Sequence, residues 1–244
     1  ASCLDKISSC HFAYFMEYGL RAKERGPAGF DASRVGSFLH FVLEDVTRHA
    51  MERGGFAKLE PRELSRLTGA AVDRYMAETL PDFDKRDERF KYLFRRLRKT
   101  VGTIVANVAD ELAHSDFAPL AFELGFGEGK AMPAVTIRSG DAELTVSGRV
   151  DRVDGWLSDG KLYLRVVDYK SGKKAFDLSD VCHGLNLQML IYLFALEQEG
   201  RKVFGQEIVP AGVLYLPARD VLVSKPRAVE PEALRAALDK ELRR

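Results

Sequence analysis

Residues 148–170, GRVDRVDGWLSDGKLYLRVVDYK, constrain this chain more than any other stretch. Two apolar, β-branched runs, Val150 and Val153 and then Leu162, Leu164, Val166 and Val167, flank Asp159-Gly160, a dipeptide that favours tight hairpin turns. Side chains alternate along a strand, so Asp168 and Lys170 share one face and Tyr169 takes the other. In the first strand Arg149, Asp151 and Val153 share a face, with Val150 and Arg152 opposite. Pairing the two strands brings Asp151 beside Asp168 at one end of a buried sheet. Two carboxylates there offer hard oxygen ligands to Mg²⁺ or Mn²⁺. A lysine two residues on can hold a water or offset the charge developing on a phosphate. DxK by itself recurs by chance in surface hairpins. At the end of an apolar strand, preceded by GRVDRVD, it points to chemistry.

The rest of the composition narrows the setting. The chain has 244 residues, 46% of them hydrophobic, enough for one large domain with its own core. With 30% charged residues and a net charge of +1, overall charge says nothing about nucleic acid, and only local clustering can. No apolar run approaches the roughly 18 residues of a membrane span, and no signal-peptide pattern appears. Three cysteines, Cys3, Cys10 and Cys182, are too few and too odd for a disulfide framework, so a reducing, cytoplasmic setting is expected. The absence of an initiating Met and the charged ending at Arg244 suggest a piece of a longer protein.

Along the chain, LDKISSCHFAYFMEYGL predicts a helix from about Ser8 with Phe12, Tyr14, Phe15 and Tyr18 packed inward. Asp31 or Ser33 is placed to cap a helix reaching about Arg53, whose stripe of Val35, Phe38, Leu39, Val42, Leu43 and Val46 has helical spacing. His40 lies on that helix. Pro61 opens another helix, and a long one follows from about Lys85 to Ala113. Its first half carries Arg95, Arg96, Arg98 and Lys99 interleaved with Tyr92 and Phe94. Such a run is either a solvated face or a track for a phosphate backbone with rings for stacking bases. From Phe117 the pattern turns to β: FAPLAFELGFG, AMPAVTIRS and the hairpin. Residues 180–198 read as one apolar helix, with a break at Gly200, a further strand region and a terminal helix from Pro231. Cys182 reads as a small buried residue.

Four separated signals now fall into one order. GSFLHFVLE carries His40, GRVDRVD carries Asp151, VVDYK carries Asp168 and Lys170, and GLNLQMLIY sets Gln188 and Tyr192 four residues apart on one helix face. This set resembles the RecB-like branch of the PD-(D/E)XK nuclease superfamily, and within it the nuclease domains of AddB-type subunits. The opening SSCHFAYFMEYGLRAKER adds to that likeness, which covers nearly the whole chain. The resemblance implies an α/β restriction-endonuclease-like fold: a central mixed sheet flanked by helices, with an α-helical insertion. The single domain then divides into a nuclease core of 34–53 and 115–217, an insertion of 54–114, and a C-terminal strand and helix over 218–244.

The resemblance further implies a Mg²⁺- or Mn²⁺-dependent DNA nuclease serving a helicase–nuclease complex in double-strand break repair. DNA, as single-stranded ends, and a partner subunit of the AddA type are the expected partners, with no membrane. A free-standing RecB-like exonuclease and an inactive nuclease-like scaffold remain the alternatives. His40, Asp151 and Asp168 match the metal ligands, with the Tyr169 carbonyl completing them; Lys170 matches the catalytic lysine, and Gln188 and Tyr192 the pair that supports it. Arg149 joins Arg95, Arg96, Arg98 and Lys99 as expected DNA contacts. Glu123 is either an auxiliary metal acid or an ordinary exposed charge. Cys10 matches the first of four iron–sulfur cysteines in such domains, but no cysteine follows Cys182, so a cluster is expected only where three C-terminal cysteines are also present. No Walker A pattern occurs, which excludes ATP hydrolysis by this stretch.

Overall fold

The structure, a computed structural model, describes residues 2–22, 32–170, 177–218 and 230–242. Asp31, one of the two expected caps, and the expected strand beyond Ala218 lie outside the described residues. The chain forms two compact units. One holds residues 2–22, 112–169 and 177–216, and the other 32–111, 170, 217–218 and 230–242.

The second unit is helical. It contains α3 (Ala32–Glu52), α4 (Pro61–Thr79), most of α5 (Glu88–Ala113) and α8 (Pro231–Leu242); α1 and α2 belong to the first unit. The stripe read on α3 is its buried face: Phe38, Leu39, Val42, Leu43 and Val46 are all buried. Phe38 meets Tyr75 of α4 and Phe94 of α5 edge-on, with ring centroids 5.0 and 5.4 Å apart. Edge-to-face rings add to burial in holding the three helices. Asp45 accepts hydrogen bonds from Nε and Nη2 of Arg74, a forked pair linking α3 to α4. Pro61 opens α4 at its first turn, where a missing N–H costs nothing.

The first unit carries the sheet. It begins with α1 (Ser2–Ser9), α2 (His11–Tyr14) and a π-helical turn over Phe15–Gly19. The aromatics here do not pack inward: Phe12 is 70% exposed, and Phe15 and Tyr18 are also exposed. Cys10 interrupts the expected single helix, because its extended backbone ends α1 and its thiol accepts the Ala13 N–H at 3.5 Å as the cap of α2.

Six strands follow: β1 (Ala118–Phe126), β2 (Val135–Ser139), β3 (Ala142–Val146), β4 (Gly148–Ser158), β5 (Lys161–Lys170) and β6 (Glu207–Pro217). The main sheet has the order β1-β4-β5-β6, while β2 and β3 pair separately. β4 runs antiparallel to both β1 and β5. Lys161 pairs with Glu207 at 2.9 Å where β5 and β6 begin, and the Ala218 N–H meets the Lys170 carbonyl at 2.9 Å where they end. Starts meet starts and ends meet ends, so β5 and β6 run parallel and the sheet is mixed. Parallel neighbours need a crossover. It is supplied by α6 (Leu178–Cys182) and α7 (Gln188–Phe204).

The single helix expected over 180–198 is thus two. Gly184 and Asn186 both take left-handed backbone (φ 78° and 57°), which ends one helix before the other starts. Nor does Gly200 break α7. It is buried within the helix, where an added Cβ would come within 3.2 Å of Ile208, so the missing side chain lets β6 approach. The helix ends instead at Gly205, in left-handed conformation. Cys182, at the end of α6, is exposed rather than buried. Leu162, Leu164, Val166 and Val153 pack with Met189, Tyr192, Ala195 and Leu196 of α7 in the core of this unit. No helix among the described residues is long and apolar enough to cross a membrane.

Candidate active site

The register of β4 on β5 places the acids. Pairs run from Ser158↔Lys161 to Arg152↔Val167, and Val153↔Val166 shows which face enters the core. Asp151 and Asp168 come next in that register, one step beyond the last pair. The ladder stops there because a side chain replaces the backbone: the Tyr169 N–H donates to Asp151 Oδ2 at 3.1 Å. Asp168 is only 4% exposed. Lys170, half-buried, ends the strand two residues on, its carbonyl held by Ala218.

Glu123 reaches Asp151 from the other neighbouring strand. It lies between the pairs Phe122↔Arg152 and Leu124↔Val150, so it falls opposite Asp151, yet its φ is +50°. A left-handed non-glycine residue inside a strand is strained, and such strain gathers at functional sites. One oxygen of Glu123 and one of Asp151 lie within 4.8 Å of each other. Arg149 Nη1 donates to Glu123 Oε2 at 2.8 Å, so the arginine read as a DNA contact is engaged with this acid, though its side chain stays well exposed.

The start of α7 covers the same face. Gln188 Nε2 donates to Tyr192 Oη at 2.9 Å, so the pair read at i, i+4 is in contact. The Arg149 backbone N–H also donates to that hydroxyl. Burial raises the Tyr192 phenol above its ordinary pKa, Gln188 opposes the rise, and the charges of Asp151 and Asp168 add to it. Gly148 makes this approach feasible: a Cβ there would come within 2.8 Å of Phe126 and 2.9 Å of Tyr192. Gly148→Ala is therefore expected to cost about 1–3 kcal/mol through overpacking, read as a lower urea midpoint at unchanged m-value.

Four participants escaped sequence reasoning. Tyr215 of β6 is pushed up to about 12, first by burial and then by the charges of Asp168 and Asp5. Asp5 of α1 accepts the Leu187 N–H at 3.3 Å, just ahead of α7. On the reverse face of β4, Arg152 and Asp154 are both 0% exposed and joined by two hydrogen bonds of 2.7 and 2.9 Å. Alternation marks their face, but nothing in the sequence signals that this face is covered.

His40 is half-buried on α3, in the helical unit. Arg95, Arg96, Arg98 and Lys99 lie on α5, where Arg98 pairs with Asp73 at 3.4 Å and Arg95 with Glu88 at 3.8 Å. Of the interleaved rings, Tyr92 is 60% exposed and open to stacking, but Phe94 belongs to the core. Cys10 is exposed, with its thiol capping α2.

The oxygen-rich donor set suits a hard divalent cation. Glu123 and Asp151, with one oxygen each within 4.8 Å of the other, are such donors on the sheet. The sequence profile of the PD-(D/E)XK nuclease superfamily matches residues 1–244. The B subunit of the ATP-dependent helicase/deoxyribonuclease of Caldanaerobacter subterraneus subsp. tengcongensis is 36% identical over 251 residues, covering 99% of this chain and 21% of that protein. The proteins of the same name from Thermoanaerobacter sp. and Acetivibrio thermocellus are 35% and 34% identical, with the same coverage. The chain thus spans about a fifth of the length of these relatives. With the profile matched from end to end, the chain belongs to the PD-(D/E)XK nuclease superfamily.

Proposed function

We propose that this domain hydrolyses DNA phosphodiester bonds with a divalent metal, as the nuclease part of a larger helicase–nuclease. The observation that carries the reading is that the β4–β5 ladder ends at Arg152↔Val167 and the Asp151 carboxylate then takes the Tyr169 N–H, which leaves Asp151 and Asp168 next in register, with Lys170 two residues on. A Mg²⁺ or Mn²⁺ ion held by Asp151, Asp168, His40 and the Tyr169 carbonyl, with Glu123 as an auxiliary acid, would acidify a bound water and polarise the scissile phosphate. Lys170 orients the attacking water and offsets negative charge as the phosphate passes through its transition state. Gln188 and Tyr192, hydrogen-bonded to each other, support Lys170 and the phosphate from α7. Arg149 balances Glu123 and turns its exposed nitrogens toward the DNA backbone.

In this reading residues 34–53 and 115–217 form the nuclease core and 54–114 an insertion that presents the basic face of α5. The relatives' shared name, which joins helicase and deoxyribonuclease, supports DNA as substrate and a helicase partner. A motor subunit of the AddA type, single strands released at double-strand breaks and a cytoplasmic setting complete the proposal. Incubation of purified protein with end-labelled single-stranded DNA tests the activity. Cleavage with Mg²⁺ that stops on adding EDTA is expected; cleavage unaffected by EDTA, or none at any metal concentration, overturns the reading.

The basic face makes a separate prediction. Replacing Arg95, Arg96 and Lys99 with Gln should weaken single-strand binding and flatten its log–log salt dependence by about 0.7 for each phosphate that is no longer neutralised. Titrations at several salt concentrations read the slope. An unchanged slope makes this helix face merely solvated.

A further inference from the structure

Directly behind the acids, on the reverse face of the sheet, lies a charged group that the proposed chemistry does not use. Arg152 is wholly buried, and its guanidinium spends three nitrogens on two partners. Nε and Nη2 donate to Asp154 Oδ1 and Oδ2 at 2.7 and 2.9 Å, and Nη1 donates to the Tyr169 hydroxyl at 2.8 Å. Arg165 Nε also donates to Asp154 Oδ2, at 2.9 Å, so one carboxylate anchors two guanidinium groups. The Arg152 guanidinium carbon lies 5.5 Å from the centre of the Tyr169 ring.

Tyr169 is therefore gripped at both ends. Its hydroxyl is held by Arg152 on the reverse face, and its backbone N–H is held by Asp151 on the front. Because Arg152 follows Asp151 in sequence, the contacts close a circuit: Asp151 carboxylate, Tyr169 backbone, Tyr169 ring, Arg152 guanidinium, and back through one peptide bond. The backbone register of β4 on β5 ends at Arg152↔Val167. Past that point this circuit joins β4 to β5.

We propose that Arg152, Asp154 and the Tyr169 hydroxyl form a positioning clamp that fixes the separation of Asp151 and Asp168 for a divalent cation. The proposal rests on the metal-site reading above and adds residues to it. A buried ion pair is a poor way to gain stability, since apolar residues of the same volume usually do as well or better. What a forked, bidentate pair provides is a fixed direction. That direction is passed to the residue between Asp168 and Lys170, and outer contacts of this kind orient metal ligands.

The decisive variant is Tyr169→Phe, which removes one hydroxyl and keeps ring and backbone. Mn²⁺ binding to the DNA-free protein is followed by electron paramagnetic resonance, as loss of the free-ion signal, beside a thermal melt. The clamp predicts a dissociation constant raised about 10–100-fold with unfolding still cooperative. Arg152→Lys keeps the charge but loses the fork, and should weaken Mn²⁺ binding to a similar extent if it folds. Wild-type Mn²⁺ affinity in Tyr169→Phe, with only the melting temperature lowered, overturns the clamp and leaves a structural role. Failure of the wild-type protein to bind Mn²⁺ is a different result: it overturns the metal-site reading and takes the clamp with it.

Discussion

Lys170→Ala is expected to lower the proposed Mg²⁺-dependent cleavage by at least about 10²–10³-fold while the protein stays folded, the range for removing one preorganised group that meets developing charge. Asp168→Asn, which on the proposed mechanism removes a metal-binding charge, is expected to abolish cleavage at ordinary Mg²⁺ concentrations. Neither change should unfold the protein. Lys170 is half-buried at the last position of β5, where its backbone carbonyl, not its side chain, makes the bond to Ala218. Asn is isosteric with Asp168 and removes the cost of holding a carboxylate that is only 4% exposed. The metal-free melting temperature of Asp168→Asn is accordingly expected to equal or exceed that of the wild type. Cleavage assays beside thermal melts separate the effects. A folded Lys170→Ala protein that cleaves at the wild-type rate removes the lysine from the mechanism.

Asp154→Ala is expected to have the largest effect on stability. It leaves the guanidinium groups of Arg152 and Arg165 in the sheet without the carboxylate that both engage. Breaking a buried pair by removing one partner costs about 3–5 kcal/mol, because the remaining charge is neither hydrated nor compensated. Against a total stability of about 5–15 kcal/mol, that brings a domain close to unfolding at physiological temperature. Asp154→Asn keeps the shape and one acceptor and should cost less. Urea denaturation measures both, and an Asp154→Ala loss below about 1 kcal/mol would show that water or a rearranged side chain reaches Arg152.

Several elements were legible because local patterns left little choice. The α3 stripe has helical spacing and is the buried face, and Pro61 opens α4. Asp159-Gly160 turns β4 into β5, with Asp159 and Gly160 both in left-handed backbone. Alternation also set Val153 and Val166 on one face, where they pair in the core, because a period of two has only two outcomes once one face is apolar. Gln188 and Tyr192 met for the corresponding helical reason.

Other features needed neighbours far away in sequence. The aromatics of the opening segment read as core, yet Phe12 and Phe15 are exposed: an apolar side chain is buried only where another surface covers it, and composition does not name that surface. β3 went unread because AELTV is short and polar, and it is a strand only by pairing with β2. The break before α7 depends on Asn186 taking a left-handed conformation that most asparagines in helical company avoid. Arg152 and Asp154 show the difference most sharply. In sequence they are charged residues on the non-core side of a strand, which ordinarily means solvent. They are wholly buried because β4 is a central strand whose reverse face is covered, which lets Asp154 and Tyr169 divide one guanidinium between them. Periodicity along a chain assigns a side chain to a face, but only packing sets the dielectric of that face, and with it whether a charge there is an ornament or a fixed joint.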